Sequence, residues 1–187
     1  GFTGGEPFMN AAIIPMLEAS LATGRRTLVL TNAMRPMRRF ERPLIDLKDR
    51  YGEALVLRVS LDHYTKAVHE AERGADTWAP ALAGLTWLGE NGFSIAIAGR
   101  RLGDESEDAA RAGYAGLFAE LGLRLDVDDP SRLVLFPEMD ASRDAPAITE
   151  ESPAVANVWD SSSCSNRFGL QTVTCSAERP ARRAAWT

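Results

Sequence analysis

Apolar positions along this chain follow two alternating rhythms. In 7–22 they recur at helical spacing (Ile13, Ile14, Leu17, Leu21), and Gly24 supplies a stop. Pro15 falls inside that stretch and predicts a kink. Residues 27–31 are a short, β-branched apolar run, which predicts a buried strand. The alternation then repeats. A helix is predicted at 37–51 ending at Gly52, a strand at 54–60, a helix at 78–90 ending at Asn91-Gly92, and a strand at 93–98. A helix at 104–121 with an acidic first turn and a strand at 132–136 complete the series. Phe2-Thr3 reads as the stub of one more strand. Nearly all-apolar strands that alternate with helices predict an α/β fold with a parallel sheet covered by helices.

The pattern changes after about Asp144. Residues 140–153 are rich in Pro, Ala and acid, as linkers are. The remainder carries Ser161-Ser162-Ser163-Cys164-Ser165 and an Arg/Ala-rich end without clean periodicity. The expected organisation is a core over 1–140, then a linker and irregular tail over 141–187. The tail fits disorder, the start of a second domain, or a reading-frame slip in a GC-rich gene. All but two of the 21 basic residues are arginine, which fits such a gene.

Composition narrows the function. The chain has 187 residues, 45% hydrophobic and 25% charged, with net charge -5. That balance argues against a nucleic-acid binder or an anionic-membrane binder. No apolar run reaches the ~20 residues of a membrane helix. Two cysteines, Cys164 and Cys175, make no disulfide framework, so a cytoplasmic setting is expected.

The richest stretch is Gly1-Phe2-Thr3-Gly4-Gly5-Glu6-Pro7. Paired glycines let backbone approach a ligand, Glu6 offers a carboxylate to a cation, and Pro7 suits a first helical turn. The chain begins at this turn with no room for a leading strand, so it reads as a piece of a longer protein. Other polar residues fall after each predicted strand: Asn32; Ser60, Asp62 and His63; Gly99, Arg100 and Arg101; Pro137 and Glu138. In parallel α/β folds the carboxyl ends of strands are where sites form. Polarity also begins at strand ends in folds without a site.

Three of these stretches resemble the radical S-adenosylmethionine (radical SAM) enzymes. Residues 1–7 match that family's glycine-rich motif, including the preceding Phe-Thr. Thr31-Asn32 follows at the expected distance, with Ala33 where the family has Gly. Val59-Ser60-Leu61-Asp62 matches the Ser-Leu-Asp at the end of the family's fourth strand, with His63 for the usual Gly. The resemblance spans roughly 1–140. It implies a partial (β/α)6 TIM-like barrel lacking its first strand and helix, with strands 2 to 6 present.

The resemblance also implies a cofactor-binding set of Gly4, Gly5, Glu6, Pro7, Asn32, Ser60, Asp62 and Gly99. Gly4, Gly5 and Glu6 would meet the methionyl amino group of S-adenosylmethionine, and Ser60 and Asp62 its ribose or carboxylate. Strands 95–99 and 134–137 would border the adenine. The family's enzymes reductively cleave S-adenosylmethionine at a 4Fe–4S cluster and use a 5′-deoxyadenosyl radical to abstract hydrogen from a small-molecule or peptide substrate. A flavodoxin or ferredoxin is the implied reductant. The cluster's Cys-x3-Cys-x2-Cys loop is not in this sequence, and Cys164 and Cys175 have neither its spacing nor its position. The alternative is a non-catalytic remnant, or an S-adenosylmethionine-binding module without a cluster. An aldolase-like barrel would want a strand-borne lysine, and Lys48 and Lys66 fall on helices or loops.

The other residues divide less sharply. His63 fits either a pocket-facing proton donor or an ordinary packed histidine. His69 is expected at the surface. Arg35, Arg38, Arg39 and Arg42 read as a solvated helix face, and Asp104, Glu105, Glu107 and Asp108 as an acidic helix start. Met9, Met16, Met34, Met37 and Met139 read as core filler.

Overall fold

The structure, a computed structural model, describes residues 1–137. Glu138, Met139, Cys164, Cys175 and the expected linker and tail lie outside the described residues. Four strands form one sheet: β1 (Thr27–Thr31), β2 (Leu55–Ser60), β3 (Ser94–Arg101) and β4 (Leu133–Pro137). They pair in chain order and all are parallel. Parallel neighbours need long crossovers, which helices supply. Helix α1 (Ile13–Leu21) precedes β1, and α2 (Arg35–Arg38) and α3 (Glu41–Tyr51) link β1 to β2. Helices α4 (Lys66–Arg73) and α5 (Trp78–Glu90) link β2 to β3, and α6 (Glu107–Glu120) links β3 to β4. The stub extends the sheet as expected. The Phe2 N–H donates to the Leu28 carbonyl at 2.8 Å, and the Phe2 carbonyl accepts from Leu30 at 2.9 Å.

One core holds the helices to the sheet. Val29, Leu57, Val59, Ile95 and Ile97 belong to it, with Leu17 of α1, Met37 of α2, Leu44 of α3, Leu85 of α5 and Phe118 of α6. Side chains alternate across a strand, so these sheet positions share one face. Leu28, Leu30, Val56, Arg58, Ala96 and Ala98 take the other face, and none joins that core. Helices α1, α2, α3, α5 and α6 therefore stack on one side. This follows from the strand order: unreversed right-handed crossovers keep every helix on the same face.

The helices differ from expectation at their prolines. The predicted 7–22 helix is a 3₁₀ turn at Pro7–Met9 followed by α1. Pro15 is the third residue of α1, where the amide has no helical acceptor to lose, so no kink is needed there. The predicted 37–51 helix is two, broken at Arg39-Phe40, with Pro43 in the first turn of α3. Met37 is core, but Met9 and Met16 are 67% and 42% exposed, because the 3₁₀ turn and the start of α1 stand at the surface. Helix α6 starts at Glu107 behind an Ser106 N-cap, whose side chain accepts from the Ala109 N–H. Asp104 and Glu105 thus precede the helix.

Candidate functional site

Strand ends bring the predicted residues to one edge. Glu6 is the hinge of the arrangement. Its Oε1 accepts from the Thr31 hydroxyl at 2.9 Å and the Phe8 N–H at 3.2 Å, and its Oε2 from the Asn32 N–H at 2.8 Å. A carboxylate has about four acceptor positions, so this clamp leaves about one for a ligand. Gly4 and Gly5 take φ of 95° and 51°, and an added Cβ would meet nothing within 4 Å at either. Their backbone borders open space. Pro7 is buried at the first position of the 3₁₀ turn and contributes structure. Asn32 holds the next turn: its Oδ1 accepts from the Met34 N–H at 2.9 Å. Ala33 is fully buried at φ 58°, in the left-handed region that favours glycine.

Asp62 follows β2 and is buried at 5% exposure. Both its oxygens meet Arg73, at 2.7 Å to Nε and 3.1 Å to a terminal nitrogen, and the Arg100 Nε lies 3.5 Å away. The two-point geometry is the strong form of an ion pair. Asp62 therefore fixes two guanidinium groups. Asn32, Met34, Asp62, Glu72, Arg73, Thr77 and Arg100 line a cleft of about 360 Å³. Ser60 ends β2 on the sheet face opposite the helices. Gly99 has a packing role: a Cβ there would lie 2.6 Å from Cζ of Tyr114, whose hydroxyl donates to the Leu61 carbonyl at 2.7 Å.

A second group stands beside this cleft. The His63 Nδ1 accepts from the Thr65 N–H at 3.0 Å, so the neutral ring carries its proton on Nε2. That atom lies 3.7 Å from Glu105 Oε2, beyond hydrogen-bond length. Glu105 Oε1 accepts from the Tyr64 hydroxyl at 2.6 Å, and Tyr64 stacks on His63 with ring centroids 4.1 Å apart. Glu105 is thus turned inward, and an acidic helix start does not account for it. Burial lowers the His63 pKa more than Glu105 raises it. No group of three or more His, Cys, Asp or Glu among the described residues can hold a metal ion. A larger cleft, about 460 Å³, lies at the opposite end of the strands, where Arg132 bonds to Ser94 and the Ile95 carbonyl.

His69 corrects another expectation. It is fully buried on α4, edge-on to Trp78 at 5.4 Å, and neither ring nitrogen has a partner. Half of its helix is charged, and burial comes from α5, which local pattern does not reveal. Burial first, and Arg73 next, lower its pKa from 6.5. Below 6.5 the unfolded chain binds a proton that the folded one refuses, so stability falls with pH until the lowered value is passed. Urea midpoints measured from neutral pH to about pH 5 fall, and His69→Phe flattens the slope while His63 keeps part of it.

Sequence reading missed Arg73, Glu72 and Thr77. The usable signal was Asp62 itself: a carboxylate at the end of a buried strand needs a cation. Arg38 is also more than solvated surface, for it pairs with Glu41, donates to the Ala83 carbonyl at 3.1 Å and lies over Trp87.

Fold and site together define a one-sided parallel α/β domain with a charged cleft at the carboxyl edge of its sheet. No protein-family model matches the chain, and no curated protein matches it. Among the described residues no helix is long and apolar enough to cross a membrane.

Proposed function

We propose that this chain is part of the core of a radical SAM enzyme and binds S-adenosylmethionine at the carboxyl ends of a partial (β/α)6 barrel. The observation that carries this reading is the Glu6 clamp. It ties the Gly-Gly-Glu-Pro stretch to Thr31-Asn32 across 26 residues, so two motifs matched by sequence alone meet in space. Support also comes from strands in chain order with helices on one face, as in a barrel and unlike a doubly wound sheet. Ala33 adds to it: where the family has Gly, this chain keeps the left-handed backbone.

The residues fit the cofactor. Gly4 and Gly5, with open space where a Cβ would stand, let backbone come close to an ammonium group, and the remaining acceptor of Glu6 adds charge. Ser60 offers a hydroxyl to the ribose. Arg73 and Arg100 offer cations to the carboxylate, so Asp62 acts by positioning them and does not itself contact the ligand. Beside a reduced 4Fe–4S cluster, S-adenosylmethionine supplies a radical that takes hydrogen from a substrate. The residues of this chain do not fit the cluster: its two cysteines have the wrong spacing, and no step through the cluster follows from them. The second reading is an S-adenosylmethionine-binding module without a cluster.

Titration of the ¹⁵N-labelled chain with S-adenosylmethionine tests the binding. Saturable shifts confined to residues 4–6, 32–33, 60–62 and 73 support it. Shifts that never saturate, or that gather at the opposite cleft near Arg132, sink it.

A further inference from the structure

Arg58 is a cation without an ion-pair partner among the described residues, on the sheet face opposite the helices. It sits mid-strand in β2, in register with Leu30 on β1 and Ala96 on β3. Around it on this face Leu28, Val56, Ala98 and Val134 are apolar, the polar positions Ser60, Ser94 and Arg100 lie nearer the strand ends, and among the described strands no carboxylate stands there. Its Nε is buried and has no hydrogen-bond partner. Burial alone moves its pKa, and moves it down, as for a guanidinium without a nearby anion. The residue as a whole is partly exposed, but a buried guanidinium nitrogen without a partner loses hydration and gains nothing in return. Orphaned buried polar atoms are rare enough in folded proteins to require a reason.

We propose that Arg58 is the anchor for an oxyanion of the substrate, a carboxylate or phosphate held on the concave face of the barrel. The inference rests on the barrel reading above and adds the substrate's chemical class. Arg58 lies two residues before Ser60, so about 7 Å below the polar edge where the cofactor is read to bind. A ligand anchored there places the rest of its body between the sheet and that edge. Arginine suits the task, because its planar fork meets two oxygens at once and its charge survives burial.

The test uses the 187-residue chain, labelled with ¹⁵N, and two probes: succinate and inorganic phosphate, each at constant ionic strength set with chloride. The Arg58 Nε–H resonance, identified by its loss in Arg58→Gln, is followed with the amides of Leu30 and Ala96. Saturable movement with succinate identifies a carboxylate site, and with phosphate a phosphate site; either supports the proposal. Arg58→Lys keeps the stem and the charge, so it folds. It weakens the response of Leu30 and Ala96 about tenfold or more, and Arg58→Gln abolishes it. No response beyond the chloride control, or variants that respond like the parent, overturns the proposal. S-adenosylmethionine shifts at Gly5 and Asn32 are read in the same samples. Their persistence in Arg58→Gln separates a failure here from a failure of the cofactor reading.

Discussion

Replacing Gly84 with alanine destabilises the protein by about 3 kcal/mol, which lowers Tm by roughly 10 °C. Gly84 lies in α5 where the helix crosses the turn after β1. An added Cβ would sit 2.7 Å from the Ala33 carbonyl carbon and well inside contact distance of its oxygen. Backbone blocks the methyl on that side, so no side-chain rotation relieves it. Ala33 is already in left-handed backbone and fully buried, which leaves the turn no easy direction in which to move. The strain passes to Asn32, so on the proposed reading S-adenosylmethionine binding weakens along with stability. Gly116 is the control. It is a helical glycine of α6 with nothing within 4 Å of an added Cβ, and Gly116→Ala raises stability by about 0.5–1 kcal/mol through helix propensity. Thermal unfolding of the two variants side by side checks both signs. Equal effects would show that the α5 crossing is looser than described.

Replacing Glu6 with alanine has the second large effect, on both folding and binding. The substitution removes acceptors from the Thr31 hydroxyl and from the Phe8 and Asn32 amides. Hydrogen bonds to a charged group contribute about 1.5–3 kcal/mol each but do not add independently, so a loss of about 3 kcal/mol is expected. Glu6→Gln is the sharper probe. It keeps the shape and two acceptor sites, yet turns one oxygen into a donor that faces another donor. It costs less stability than alanine but weakens S-adenosylmethionine binding at least about tenfold. Urea unfolding and ligand titration of both variants separate the two effects. Glutamine that binds like the parent would confine Glu6 to a structural role.

Much of the fold was legible because its strands are short, apolar and bounded by turn residues. Residues 27–31 and 54–60 could hardly be anything else, and the observed strands match them within a residue. Helix limits were less legible at prolines, where the sequence signals a break but not its place: Pro15 and Pro43 each sit in a first turn instead of breaking a helix. The site was legible in its residues and not in its connections. Gly4, Gly5, Glu6, Asn32, Ser60 and Asp62 all end at one edge because a parallel sheet puts strand ends together. The pairing of Asp62 with Arg73 and the clamp of Glu6 on Asn32 depend on contacts across 11 and 26 residues, which no local pattern encodes. His69 shows the same limit in reverse. Charged neighbours on α4 suggest solvent, and packing against Trp78 decides otherwise.

The central claim is that this domain belongs to a cluster-bearing radical SAM core. The most direct measurement reads the coding sequence upstream of Gly1, expresses the extended chain without oxygen, and counts iron and sulfide per chain. The account predicts a Cys-x3-Cys-x2-Cys segment ahead of Gly1 and about four irons, with the visible absorption of a 4Fe–4S cluster. An extended chain without those cysteines, or one that stays free of iron, would contradict it.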